Sequence, residues 1–113
     1  MSVKEKIVDD IAILYISGKL MGGKETDEVH DHIKGLINDD IKKVVLDLSK
    51  VKWMNSRGLG MLMGSYSSLV KVNGFIKLVG VAEKIKSLLM ISQIISFFET
   101  YETVDRAAAS FRK

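Results

Sequence analysis

The sequence predicts an α/β fold: a small, mostly parallel sheet with an N-terminal β-hairpin and about four helices. Three observations predict it. Short β-branched runs alternate with segments whose apolar residues recur at helical spacing, which implies parallel strands joined by crossover helices. The first two runs break that alternation, because only Asp9-Asp10 separates them, and a tight hairpin follows. The chain has no proline and no low-complexity or linker-like stretch, so its 113 residues read as one domain spanning 1–113.

The elements follow in order. Lys6-Ile7-Val8 and Ile11 to Ile16 are the hairpin strands, with Gly18 and Gly22-Gly23 punctuating the exit. Val29, Ile33, Leu36 and Ile37 mark one buried face of a helix from about Glu25 to Ile37. Asp27, Glu28 and Asp31 suit its positive end, and Asn38-Asp39-Asp40 stops it. Lys42 to Leu48 is the next strand. Leu59, Leu62, Met63, Tyr66, Leu69 and Val70 form the stripe of a second helix, which ends at Asn73-Gly74 with Gly74 as a left-handed cap. Phe75 to Val81 is a strand, and Ala82 to about Ile91 a third helix carrying Ile85, Leu88 and Leu89. Ile94 to Phe98 reads as the last strand. A final helix carries Val104, Ala107, Ala108 and Phe111, with Thr103 as its N-cap.

Composition narrows the function. There is no cysteine, hence no disulfide and no thiolate metal site. No N-terminal signal and no apolar run of membrane-spanning length is visible, so the expectation is a cytoplasmic protein without a membrane partner. Charge is uneven: residues 1–40 hold five basic and nine acidic side chains, whereas 41–90 hold nine basic against Asp47 and Glu83 alone. The lysines are scattered and lack interleaved aromatics, which disfavours direct nucleic-acid binding.

Most candidate chemistry has a structural explanation. His30 and His32 point roughly 200° apart on a helix, so they cannot share a metal and read as solvated. Asp39-Asp40 is a helix stop. Ser56 lacks the G-x-S-x-G setting of a hydrolase nucleophile. Gly58, Gly60 and Gly64 give G-x-G-x-x-x-G, which is not the dinucleotide spacing, and no acidic residue ends the next strand. The glycines read instead as close helix–sheet packing. No cofactor or metal is implied and no enzyme is expected. A nucleotide- or small-ligand-binding module acting as sensor or scaffold is the alternative reading.

The stretch Trp53-Met54-Asn55-Ser56-Arg57-Gly58-Leu59-Gly60 remains. It leaves a strand and opens a helix, where strands of such folds present functional loops. Ser56 or Asn55 can cap the helix, and one of them suffices. A phosphate on Ser56 would meet the positive helix end beside Arg57.

Val45-Leu46-Asp47-Leu48 followed by Ser56, Gly58, Leu59 and Gly60 resembles the STAS domain of bacterial anti-sigma factor antagonists, whose motif is Asp-Ser-[Ser/Thr]-Gly-Leu-Gly. The resemblance spans nearly the whole chain. It implies that Ser56 is the phosphorylation site. It also implies a partner switch: the unmodified protein binds an anti-sigma factor that is a serine kinase, a sigma factor is released, and a PP2C-type phosphatase reverses the modification. Asn55, Arg57, Gly58 and Leu59 would form the contact surface, with Met21, Gly22 and Lys24 of the Lys19–Lys24 loop. Met61, off the apolar stripe, is expected as an exposed contact, and Tyr66 as core. Asn55 and Arg57 depart from the motif, and Gly18 to Gly22 lacks the family's acid. These departures remove negative charge around Ser56. They leave open an unusually acidic partner surface or constitutive binding.

Overall fold

In the computed structural model, which describes residues 2–112, five strands form one sheet in the order β1-β2-β3-β4-β5. β1 (Ser2–Val8) and β2 (Ile11–Leu20) are the antiparallel hairpin. β3 (Lys43–Met54), β4 (Phe75–Val79) and β5 (Glu99–Tyr101) follow in parallel. The helices are α1 (Gly23–Asn38), α2 (Ser56–Val70), α3 (Glu83–Ile91) and α4 (Val104–Ser110).

Topology decides where the helices lie. β2 to β5 are laid down side by side in chain order, so each right-handed crossover returns on the same face. Accordingly Ala12, Leu14 and Ile16 of β2 and Val44, Leu46 and Leu48 of β3 share a core with Val29 and Ile33 of α1, Leu62 and Leu69 of α2, and Ile85 and Leu89 of α3. Alternate residues face the other way, as the period of a strand requires. Ile11, Ile13, Val45 and Val79 pack there against Ala107 and Ala108 of α4. Thr103 caps α4 as expected, its Oγ1 accepting from the Arg106 amide at 3.1 Å.

Several expectations need correction. Ile94–Phe97 is a short 3-10 helix, and the last strand is displaced to Glu99–Tyr101. Gln93 takes a left-handed φ of 65° after α3 and turns the chain out of strand geometry. Part of the apolar run packs inward instead: Ile94 and Ile95 lie against the core, and half-exposed Phe97 meets Tyr66 at a tilted angle, ring centroids 5.4 Å apart. Asn73, with φ 59°, takes the left-handed position assigned to Gly74. Val70 ends α2 half exposed rather than in its buried stripe.

β3 runs six residues beyond Leu48, to Met54, and this extension positions the site. Past Asp47 it no longer pairs with β4 and is held by β2 alone, through Ser17 to Leu20. The register shifts twice there, on either side of Gly18, which has φ 109°. The two-strand ribbon therefore carries the end of β3 past the parallel sheet, so that α2 starts beside the β2–α1 loop.

Candidate functional site

Asn55 is the hinge between strand and helix. Its backbone is extended, and its Oδ1 accepts from the amides of Arg57 at 3.0 Å and Gly58 at 3.2 Å. Two of the orphan donors of the first turn are thereby satisfied by one side chain. Its Nδ2 donates to the Met21 carbonyl at 3.0 Å, which fastens the helix start to the neighbouring loop. Asn55, not Ser56, is the cap.

Ser56 is consequently the first helical residue, exposed, with its hydroxyl engaged by no hydrogen bond among the described residues. No acidic residue lies in the first turn of α2, so the positive end of the helix dipole is uncompensated. An added phosphate would meet the Ser56 amide and the neighbouring Arg57 guanidinium, since the other first-turn amides are already bonded, and would break no existing contact.

Arg57 is exposed and forms no ion pair among the described residues. Its aliphatic stem lies over Gly22: a Cβ at Gly22 would sit 2.5 Å from Arg57 Cδ. Gly22 has φ 103°, and its amide donates to Thr26 Oγ1 at 2.8 Å. The β2–α1 loop and the start of α2 thus form one continuous surface, to which Met21, at 45% exposure, and exposed Lys24 also belong.

Three expected contact residues lie under that surface. Gly58 is buried; a Cβ there would collide with the Leu20 carbonyl oxygen and lie 2.7 Å from Met54 Cγ. Its lack of a side chain lets α2 approach the ribbon. Leu59 is core. Met61, expected as an exposed contact, is only 7% exposed and belongs to the main core. The reason is that α2 packs against α1 as well as against the sheet, so its buried arc is wider than a single-faced stripe. Of the three glycines only Gly58 serves close approach to the sheet. Gly60 faces open space, and Gly64 faces His30 of α1.

His30 is likewise not solvated as expected: its Nε2 is buried without a hydrogen-bond partner among the described residues. His32 reaches Glu5 Oε1 at 3.1 Å from its Nδ1. No group of three or more His, Cys, Asp or Glu is disposed to hold a metal among the described residues. No described helix is long and apolar enough to cross a membrane.

The sequence pattern alone does not mark Trp53 as part of this surface. Trp53, in the last turn of the ribbon, is 50% exposed, and Lys84 Nζ lies 4.8 Å from its ring centroid. The signal was the chain's single tryptophan, three residues before Ser56.

This is an α/β domain whose distinctive feature is a serine-bearing helix start at the carboxyl end of a parallel strand. The chain belongs to the STAS domain family, whose model matches residues 2–107. It is 28% identical over 114 residues to a Thermotoga maritima protein provisionally named an anti-sigma factor antagonist, with 96% of each chain covered. A crystal structure of an anti-sigma factor antagonist from Thermotoga maritima, likewise provisionally so described, superimposes with TM-score 0.87 at 26% identity, covering 98% of this chain and 95% of that one. The phosphorylated form of the Bacillus cell-fate determinant SpoIIAA shares the fold, with TM-score 0.78 at 15% identity over 97% of this chain and 99% of that one.

Proposed function

We propose that the protein is a non-enzymatic, cytoplasmic anti-sigma factor antagonist. In its unmodified form it binds an anti-sigma factor that is also a serine kinase, and so releases a sigma factor. Phosphorylation of Ser56 ends that binding, and a PP2C-type phosphatase restores it. The contact surface comprises Asn55, Ser56 and Arg57 together with Met21, Gly22 and Lys24.

One observation carries this reading: Ser56 is exposed at the first position of α2 while Asn55 performs the capping. The hydroxyl is therefore spare. A phosphate adds a charge of about −1.5 to −2 at neutral pH and cancels much of the positive charge beside it. The scaffold keeps its cap, so the change falls on the partner rather than on the fold. The reading is also supported by the relatives' names and by the existence of a phosphorylated protein with the same fold.

The test uses the serine kinase of this anti-sigma type encoded in the same genome. Incubation with ATP should place one phosphate on Ser56, read by mass spectrometry, and the product should no longer bind the kinase. No phosphate on Ser56, together with unchanged binding by Ser56→Asp, would overturn the switch.

A further inference from the structure

The end of the molecule that carries Ser56 is cationic in a way that the fold does not require. Arg57, Lys84, Lys19 and Lys52 are all exposed there and outnumber the exposed Glu25 and Glu83 in the first turns of α1 and α3, and none of the four forms an ion pair among the described residues. The ion pairs present lie elsewhere, as in Lys43 with Asp10 and Arg112 with Asp9 beside the hairpin turn. Arg57 lies along Gly22, and its guanidinium donors, at the helix mouth, have no hydrogen-bond partner among the described residues. Lys84 sits over the Trp53 ring, and its ammonium forms no hydrogen bond or ion pair among the described residues. Trp53 is paired in register with Lys19, and its neighbour Asn55 is bonded to Met21. Exposed aromatic and thioether surface is thus fringed by unpaired cations, the composition of an interface centre with a charged rim.

We infer that this end selects a partner of a particular chemistry: an acidic protein surface that lays an apolar side chain on Met21 and Trp53 and sets carboxylates against Arg57 and Lys84. The inference rests on the antagonist reading and adds to it the charge of the partner. Complementarity carries the argument. An unpaired guanidinium and ammonium flanking apolar surface would repel a basic partner and steer an acidic one, and guanidinium pairs carboxylates bidentately. The same arrangement supplies a means of release. A phosphate on Ser56 lies one residue from Arg57, competes for its donors, and repels the partner's carboxylates.

The experiment measures binding of the purified kinase from the same genome by titration calorimetry, from about 50 mM to about 500 mM salt, where screening of exposed charges becomes severe. The unmodified protein should lose at least about tenfold in affinity across that range. Arg57→Ser should weaken binding about tenfold at low salt, the scale of one charge-assisted hydrogen bond, and flatten the salt dependence. Lys84→Ser should do the same to a lesser degree. Trp53→Ala should weaken binding but leave the salt slope in place. All three side chains are exposed, and unchanged melting temperatures confirm that the variants fold. Binding that ignores salt, Arg57→Ser and Lys84→Ser alike overturns the inference and leaves the antagonist reading standing. No binding by the unmodified protein at any salt overturns the antagonist reading itself, and the inference with it.

Discussion

Two helices begin side by side at the carboxyl ends of β2 and β3, and they begin in opposite ways. α2 starts from Asn55, an extended residue whose side chain accepts two amide hydrogens and donates a third bond across to Met21. α1 starts from Gly22, which has no side chain to cap with and sits at φ 103°, ψ 179°. Arg57 occupies the space that a side chain at Gly22 would need. One start is fastened; the other is kept empty. The difference teaches what the site requires. Ser56 has to be held in fixed geometry without being used by the scaffold, so the neighbouring residue does the holding. The facing loop stays low, so that a cation can lie across it.

The largest way to break this arrangement is Gly58→Val. The added atoms meet the Met54 side chain and the Leu20 carbonyl, and the carbonyl cannot yield without moving the ribbon. A loss of about 3 kcal/mol in chemical denaturation is expected. Gly22→Ala comes next. Its backbone conformation is accessible essentially to glycine alone, so a loss of about 2 kcal/mol is expected. The part due to Arg57 Cδ should return in the double variant with Arg57→Ala, giving a measurable coupling in the cycle.

Asn55→Ala should cost about 1.5 kcal/mol by removing the cap. Asn55→Asp sharpens the point: it keeps both accepted bonds and adds charge that suits the helix start, but sets a carboxylate oxygen against the Met21 carbonyl, and should cost less than Asn55→Ala. Ser56→Ala should change stability by no more than about 0.5 kcal/mol, as for a surface side chain with nothing to lose.

The smallest effect lies at the opposite end of the sheet. The hydrogen bond from Lys43, at 2.7 Å, holds the Asp10 carboxyl below the usual range. A depressed folded pKa stabilises the fold above the unfolded-state pKa and is lost as pH falls from there through the folded value. Asp10→Asn should therefore show a slightly shallower loss of melting temperature on acidification in that window, and no change in the behaviour of Ser56.

What the sequence revealed, and what it hid, follows from how local each feature is. The α/β order was legible because alternating strand and helix patterns are written within each segment. The placement of Ser56 at a helix mouth was legible for the same reason, since Asn55 to Gly60 carry both cap and glycines. Met61 was misread because a single stripe assumes one buried face, whereas α2 meets both α1 and the sheet. Ile94–Phe98 imitates a strand in composition, and only the left-handed Gln93 and the aromatic contact to Tyr66 divert it.

Lys77, a lysine in mid-strand, is buried because Phe111 covers it at 4.1 Å and Ser110 accepts from its ammonium. Its burial depends on where α4 returns, 33 residues on in the chain. The seat of Arg57 on Gly22 is hidden for the same reason. It joins two loops that lie together only because the β2–β3 ribbon extends beyond the rest of the sheet.

The central claim is that the hydroxyl of Ser56 is free of the scaffold, so that modifying it alters recognition and leaves the fold intact. Thermal unfolding of protein carrying phosphoserine at position 56, beside the unmodified protein, tests that most directly. The two melting temperatures should agree within about 2 °C, or show a slight gain from the anion at the helix start. A drop of about 10 °C, equivalent to roughly 2 kcal/mol for a domain of this size, would contradict it.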